Sequence, residues 1–444
     1  MSPLDRLGRF VADLSWDAIP DDTQTRARLT LRDTIGCILG GSVTPAGRIA
    51  TSTSDSDSSA LRAFALAVHA SALDFDDGHY CGGAIHPASV IVPSLIAAVR
   101  ALDPTTKVSA QTFLTAQIAG YEIGLRAAHL LWPKHTLDAY HCTGTAATLG
   151  AAAAVAKLQG ANAEVIARSI AIAWAHAPMS TFQLPMVKES IGWSAATAVF
   201  AADLARAGFM AMPSRTTSVM EATFIPTPFH RPGAMDDAFV ASLGHVYEAA
   251  NTYFKPYAAC RYTHTALRSM EELCSEHQLT AESIERIDVY TPKPSVNLSD
   301  QRPASLEHGQ YSFPFVLAAL ICTGRAGARE ISHDALTDPQ RLALATKVTV
   351  NHDAALDQHY PEYYPSRVVV TTTDGATYDR IRLVAPGDDA DPMSAYDLAE
   401  KFVRLAEPVH GTAKATNLAD KLIDLTGPDC RQLLDQALGD TLAK

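Results

Sequence analysis

Asp74, Asp76, Asp77, His79 and His86 put three carboxylates and two imidazoles within thirteen residues of this chain. An apolar run, Ala60 to Leu73, leads into the stretch, and another, Val90 to Val99, leads out. Apolar flanks bury what lies between them, and buried acids and imidazoles are costly unless paired, metal-bound or catalytic. Glycines at 78, 82 and 83 suit a tight loop that lets backbone approach a ligand. Aspartate and histidine can ligate a metal, but no H-E-x-x-H, paired H-x-H or EF-hand spacing is present. No metal is therefore expected, and proton transfer is the better reading.

Three further segments hold reactive side chains. Tyr140-His141-Cys142-Thr143-Gly144-Thr145 opens an alanine-rich helical pattern, where N–H donors and an imidazole can hold a carboxylate. Lys188 follows an apolar run, and a lysine on a low-dielectric wall clamps a carboxylate or loses its proton readily. Phe254 to His264 carries Lys255, Tyr257, Arg261, Tyr262 and His264 at a change of sequence texture, and clefts between domains favour ligand sites. The plainer alternatives are a helix cap for His141, a snorkelling lysine at 188 and a basic linker at 254–264.

Composition excludes much else. The net charge of −12 argues against nucleic acid as a partner. No Walker loop, G-x-G-x-x-G or G-x-S-x-G occurs, so nucleotide-cofactor and serine-hydrolase readings lack support. The seven cysteines, at 37, 81, 142, 260, 274, 322 and 430, are scattered, without a C-x-x-C pair, and read as free thiols in a reducing compartment. The first residues, Met-Ser-Pro-Leu-Asp-Arg-Leu, lack an apolar signal region, and the longest uncharged stretch, Ser169 to Val187, holds two prolines. A soluble cytoplasmic protein with no membrane partner is expected. Acids, imidazoles and cations remain, which suits proton transfer on a small anionic substrate.

Apolar content of 47% with only 7% aromatics favours close-packed helices. Leu4, Leu7, Val11 and Leu14 share a helical face; a second helix starts at Asp21/Asp22 and is expected to stop at Gly40-Gly41. Thr51 to Ser59 reads as a solvated loop. Helical patterns cover 60–73, 88–102, 109–131, 142–158, 162–176 and 190–207, with Thr145 to Ala156 as a central helix whose small residues admit close neighbours. After about residue 250 the pattern changes. An amphipathic helix (265–278) precedes a strand-like alternation from Glu285, and Phe313 to Thr323 is a buried helix. Val348 to Asn351 and Arg367 to Thr373 read as strands, Asp374-Gly375 as a hairpin turn, and Tyr378 to Val384 as the return. Helices resume over 396–406 and 415–442. The fold class is mainly α: a helical domain (1–252 with 396–444) and a smaller inserted α+β domain (253–395).

Six pieces in order resemble the MmgE/PrpD family, which includes 2-methylcitrate dehydratase, cis-aconitate decarboxylase and iminodisuccinate epimerase. They are Leu73-Asp-Phe-Asp-Asp77 with His86-Pro-Ala-Ser, Gly120-Tyr-Glu-Ile-Gly-Leu-Arg126, His141-Cys-Thr-Gly-Thr, Met186-Val-Lys188, Lys255 to His264, and Tyr311-Ser-Phe-Pro-Phe315. The resemblance implies a helical domain built from both chain ends, a smaller α+β lid, a homodimer, and a cleft site without metal or organic cofactor. By position it implies Asp74, His86, His141, Lys188 and Lys255 as site residues. The family's decarboxylases have a threonine where this chain has Gly78 and a tyrosine where it has Phe315. Both differences remove a hydroxyl and disfavour decarboxylation of cis-aconitate.

The expected chemistry is removal of a proton beside a carboxylate of a small di- or tricarboxylate. Lys188 and Lys255, assisted by His141, would pair with substrate carboxylates and stabilise the enolate-like anion. His86 would be the acid/base, with Asp74 orienting its ring. Tyr140, Tyr257, Arg261 and His264 are expected to line the substrate, Tyr257 and His264 as lesser candidates for a second proton carrier. Loss of a β-hydroxyl gives dehydration, the first expectation; reprotonation from the opposite face gives epimerisation, the alternative. A decarboxylase or a non-catalytic binding protein is expected less.

Overall fold

Alanine decides the centre of this molecule. The computed structural model describes residues 3–54, 57–80, 85–131, 141–178, 188–210, 241–360, 362–425 and 429–442. The first helices, numbered in chain order, are α1 (Pro3–Asp13), α2 (Asp21–Ser42), α3 (Pro45–Thr53), α4 (Ser59–Ser71), α5 (Ala88–Ala101), α6 (Ala110–Leu131), α7 (Cys142–Leu158), α8 (Ala163–His176) and α9 (Glu189–Arg206). Every residue of α7 except Lys157 is buried, and it packs against α5, α6, α8 and α9. Its small side chains let those axes come close, as the sequence pattern requires.

Gly40 and Gly41 do not end α2, which continues to Ser42. A Cβ at Gly41 would lie 1.8 Å from the His69 carbonyl oxygen, so this glycine serves close approach of α2 to α4 rather than termination. The expected loop from Thr51 is likewise corrected at its start. Thr44 caps α3 by accepting from Gly47 N, Pro45 sits in the first turn, and the helix runs through Thr53.

The rest of the chain contributes α10 (His264–His277), β1 (Ile284–Thr291), α11 (Leu306–Gln310), α12 (Phe313–Thr323), α13 (Pro339–Ala345), β2 (Val348–His352), β3 (Ser366–Thr372), β4 (Thr377–Arg382), α14 (Ala395–His410), α15 (Thr412–Asp424) and α16 (Cys430–Leu438). The strands form one sheet in the order β2–β1–β3–β4. β1 runs parallel to β2, with Ile287 opposite Val348, and antiparallel to β3, with Ile287 opposite Val370. Asp374-Gly375 makes the β3–β4 turn, with Gly375 at φ +88°. α10 packs on β3 and β4, and α12 on β2. The chain ends meet: α14, α15 and α16 all pack on α2. The expected single helical run 415–442 is two helices, α15 and α16. The protein is mainly helical, and among the described residues no helix is long and apolar enough to cross a membrane. No two of the six described cysteines are joined in a disulfide.

Candidate active site

The loop between α4 and α5 is built by capture of its carbonyls. Asp74 adopts φ +49°, a left-handed conformation that costs an ordinary residue about 1–2 kcal/mol and aspartate rather less. Three distant side chains, and one from the loop itself, then donate to loop carbonyl oxygens. Gln310 Nε2 reaches Ala72 O at 3.0 Å, Lys255 Nζ reaches Asp74 O at 3.0 Å, Lys401 Nζ reaches Phe75 O at 2.7 Å, and His86 Nδ1 reaches Asp77 O at 2.6 Å. Gly78 exchanges backbone hydrogen bonds with Tyr253 at 3.1 and 2.8 Å. Leu73 and Phe75 sit in a small apolar cluster with Cys37, Ala258 and Leu405, behind the loop. Asp74, Asp76 and Asp77 are buried with His86.

Asp74 joins the two lysines. Lys188, at the start of α9, lies 3.5 Å from Asp74 Oδ1, and Lys255 lies 3.3 Å from Oδ2. All three side chains are almost wholly withdrawn from water. Burial alone would push the Asp74 carboxyl up, but the ammoniums of Lys255 and Lys188 hold it below the usual carboxylate range. Two lysines share the one carboxylate of Asp74, an arrangement that favours a further anion on their side of the loop. Lys188 also faces the ring of Tyr311, 5.9 Å from its centroid.

His86 has a fixed tautomer. A carbonyl oxygen can only accept, so Nδ1 carries the proton donated to Asp77 O, and Nε2 keeps a lone pair. The His86 backbone N–H donates to Thr143 Oγ1 at 3.0 Å, tying the loop to the start of α7. Burial, and then the Lys255 charge, lower the imidazole pKa, so the ring is a neutral base at ordinary pH. Asp76 lies 4.0 Å from Nδ1. The expectation that Asp74 orients this ring is corrected: the orienting atom is the Asp77 carbonyl, because Asp74 is engaged by the lysines. The Asp77 carboxyl group accepts from Tyr121 at 2.6 Å and from Ala88 N at 3.1 Å, and burial pushes its pKa up to about 8. His141, the residue before α7, stacks its ring on His86 at 6.1 Å between centroids.

Other expected residues have other partners. Tyr257 donates to Glu271 at 2.6 Å. Arg261 is spent on Asp388, on Pro386 O at 2.7 Å and on the face of Tyr253. His264 uses both nitrogens, Nε2 toward Ala259 O and Nδ1 toward Arg261, each at 3.1 Å. These contacts tie the 255–264 segment to its surroundings. His79 faces Glu248 at 3.6 Å. Tyr140 lies outside the described residues. Among the described residues no group of three His, Cys, Asp or Glu side chains is disposed to hold a metal ion. The sequence reading did not assign Thr143, Tyr121, Tyr311 or Lys401. Tyr121 and Tyr311 stand in segments already singled out, whereas Lys401 carries no local signal. Gly78 also reads differently in three dimensions: a Cβ there would lie 2.3 Å from the Tyr253 hydroxyl, so a phenol fills the space of the absent side chain.

A neutral imidazole with a spare lone pair, within the field of Lys255 and joined through Asp74 to Lys188, can take a proton from carbon and hold the resulting anion. The chain belongs to the MmgE/PrpD family of enzymes. The family's N-terminal domain matches residues 5–225 and its C-terminal domain residues 257–425. The chain is 24% identical to a cis-aconitate decarboxylase of Aspergillus terreus, over 94% of this chain and 91% of that one. It is 25% identical to the cis-aconitate decarboxylase-like protein oryM of Aspergillus oryzae, over 98% and 97%. It is 27% identical to the human cis-aconitate decarboxylase, over 76% and 70%.

Proposed function

We propose that this protein is a lyase acting on a small di- or tricarboxylate, a dehydratase of the kind that acts on 2-methylcitrate. The observation that carries the reading is the His86 tautomer: Nδ1–H is committed to Asp77 O at 2.6 Å, which leaves Nε2 as a base on a ring that feels the Lys255 charge, and Lys255 shares Asp74 with Lys188. Nε2 takes the proton from the carbon next to a substrate carboxylate. The C–H electrons move into that carboxylate as an enolate, stabilised by the two ammoniums. They return to form the carbon–carbon double bond as the β-hydroxyl leaves. The imidazolium returns its proton to the departing oxygen, so water is the second product.

A second reading, decarboxylation, is favoured by the names of the relatives and by the Tyr253 phenol filling the space at Gly78. It requires the opposite proton movement, because the carbon that loses carbon dioxide must gain a proton. A neutral His86 suits abstraction better. Epimerisation has less support, since it needs a second proton carrier on the opposite face. His141 stacks on His86, and both nitrogens of His264 are in use.

The test is proton NMR of 2-methylcitrate, cis-aconitate and related acids with the protein in deuterated water. Dehydration gives an alkene signal with water loss and deuterium exchange beside the carboxylate. One carbon dioxide per turnover would replace this reading with decarboxylation. No turnover and no exchange across the panel would leave a binding protein.

A further inference from the structure

Lys401, more than three hundred residues from the loop in sequence, has its ammonium engaged by three neighbours. Its Nζ donates to Phe75 O at 2.7 Å, pairs with Asp33 of α2 at 2.7 Å, and lies 4.1 Å from the centroid of the Phe75 ring. Lys401 and Asp33 are both buried. Phe75 stands between Asp74, which joins the two lysines, and Asp76, which lies 4.0 Å from His86. The captured carbonyl belongs to the peptide that leads into Asp76 and Asp77, and Asp77 O is the atom that fixes the His86 tautomer. The same loop contains the left-handed Asp74, a conformation that persists only where its surroundings impose it. Lys401 touches none of the groups that would meet a substrate.

We propose that Lys401, held by Asp33, is a positioning residue that fixes the 74–77 loop from behind, so that helices from both chain ends set the direction of the His86 base. The catalytic half of this inference rests on the lyase reading; the loop-holding half does not. A lysine buried only for stability would be replaceable, with its counter-ion, by neutral groups without effect on turnover. A positioning lysine would not.

Lys401→Met alone strands the Asp33 carboxylate, so the decisive protein is Lys401→Met with Asp33→Asn. Hydrogen exchange of the peptide covering 72–80 is compared with that of α7 in the same sample. We expect at least about tenfold faster exchange in the loop, no change in α7, and a cooperative melt. Turnover should fall about 10- to 100-fold with KM within about threefold, and Lys401→Arg, which keeps charge and donors, should recover most of it. Unchanged loop exchange, or an unchanged kcat in the folded double variant, overturns the proposal. Faster loop exchange in a protein whose native form turns over no carboxylate would retain the loop-holding role and discard the lyase reading.

Discussion

The molecule buries two imidazoles near the same lysine, and they have been put to different uses. Burial lowers the pKa of both His86 and His264, and the Lys255 charge lowers both further. Arg261 lowers His264 further and Asp76 opposes the shift at His86, so electrostatics sets the two rings apart in degree. Hydrogen bonding sets them apart in kind. His264 donates from Nε2 to Ala259 O and accepts at Nδ1 from Arg261, so no lone pair remains. Its ring is packed edge-on against Tyr257, at 5.2 Å between centroids. His86 commits Nδ1 alone, and Asp77 O forces that choice. A perturbed histidine is thus a candidate base only where the surrounding polar groups leave one nitrogen over.

Breaking the comparison from the His86 side should have the largest effect. His86→Ala is expected to lower turnover at least about 100-fold in a protein that still melts cooperatively, because the general base is lost while the helices that frame the loop remain; the lost hydrogen bond to Asp77 O costs about 1–3 kcal/mol. Near-normal turnover would show that the spare lone pair does no chemistry. His264→Gln should do the reverse. It removes at least one of two buried hydrogen bonds and loosens Arg261, for a cost of about 1–3 kcal/mol in chemical denaturation. Turnover per folded molecule should stay within about threefold. A hundredfold loss in a stable variant would return His264 to the reaction.

The same contrast explains what could be read from the sequence. The helices were legible because apolar periodicity and caps are local: Phe313–Thr323 ends at Gly324 with φ +73°, where the pattern placed it. The hairpin at Asp374-Gly375 was legible for the same reason. Gly40-Gly41 was misread because a glycine required by a neighbouring backbone looks the same in sequence as one that ends a helix. Asp74, His86, His141, Lys188 and Lys255 could be singled out as types. Their pairing could not, because it depends on which carbonyl faces which donor. The 254–264 segment divides in three dimensions: Lys255 reaches Asp74, whereas Arg261 is engaged by Asp388, His264 and the ring of Tyr253, and Tyr257 by Glu271. Lys401 was beyond reach, since a lone lysine on an amphipathic helix gives no hint that it will meet Phe75 O.

Asp77 sharpens the contrast further, because its carbonyl and its carboxyl do different work. The carbonyl orients His86; the carboxyl is buried among Asp76 and Asp33, with Tyr121 donating to it, and its pKa stands at about 8 instead of near the ordinary 3.8. Between those values the folded protein keeps a proton that the unfolded chain has released. Stability should therefore fall as pH rises from about 4 to 8 and level off above, by up to about 1.4 kcal/mol per pH unit for this one group. Asp77→Asn keeps the carbonyl and cannot ionise. We expect turnover within about fivefold of the parent and a melting temperature that declines less steeply from pH 5 to pH 8. If both proteins show the same slope, the Asp77 carboxyl is ionised at neutral pH. His86 would then sit beside a second full negative charge, which favours the imidazolium. That would weaken its assignment as a neutral base and strengthen the decarboxylase reading, in which the ring must begin with a proton to give.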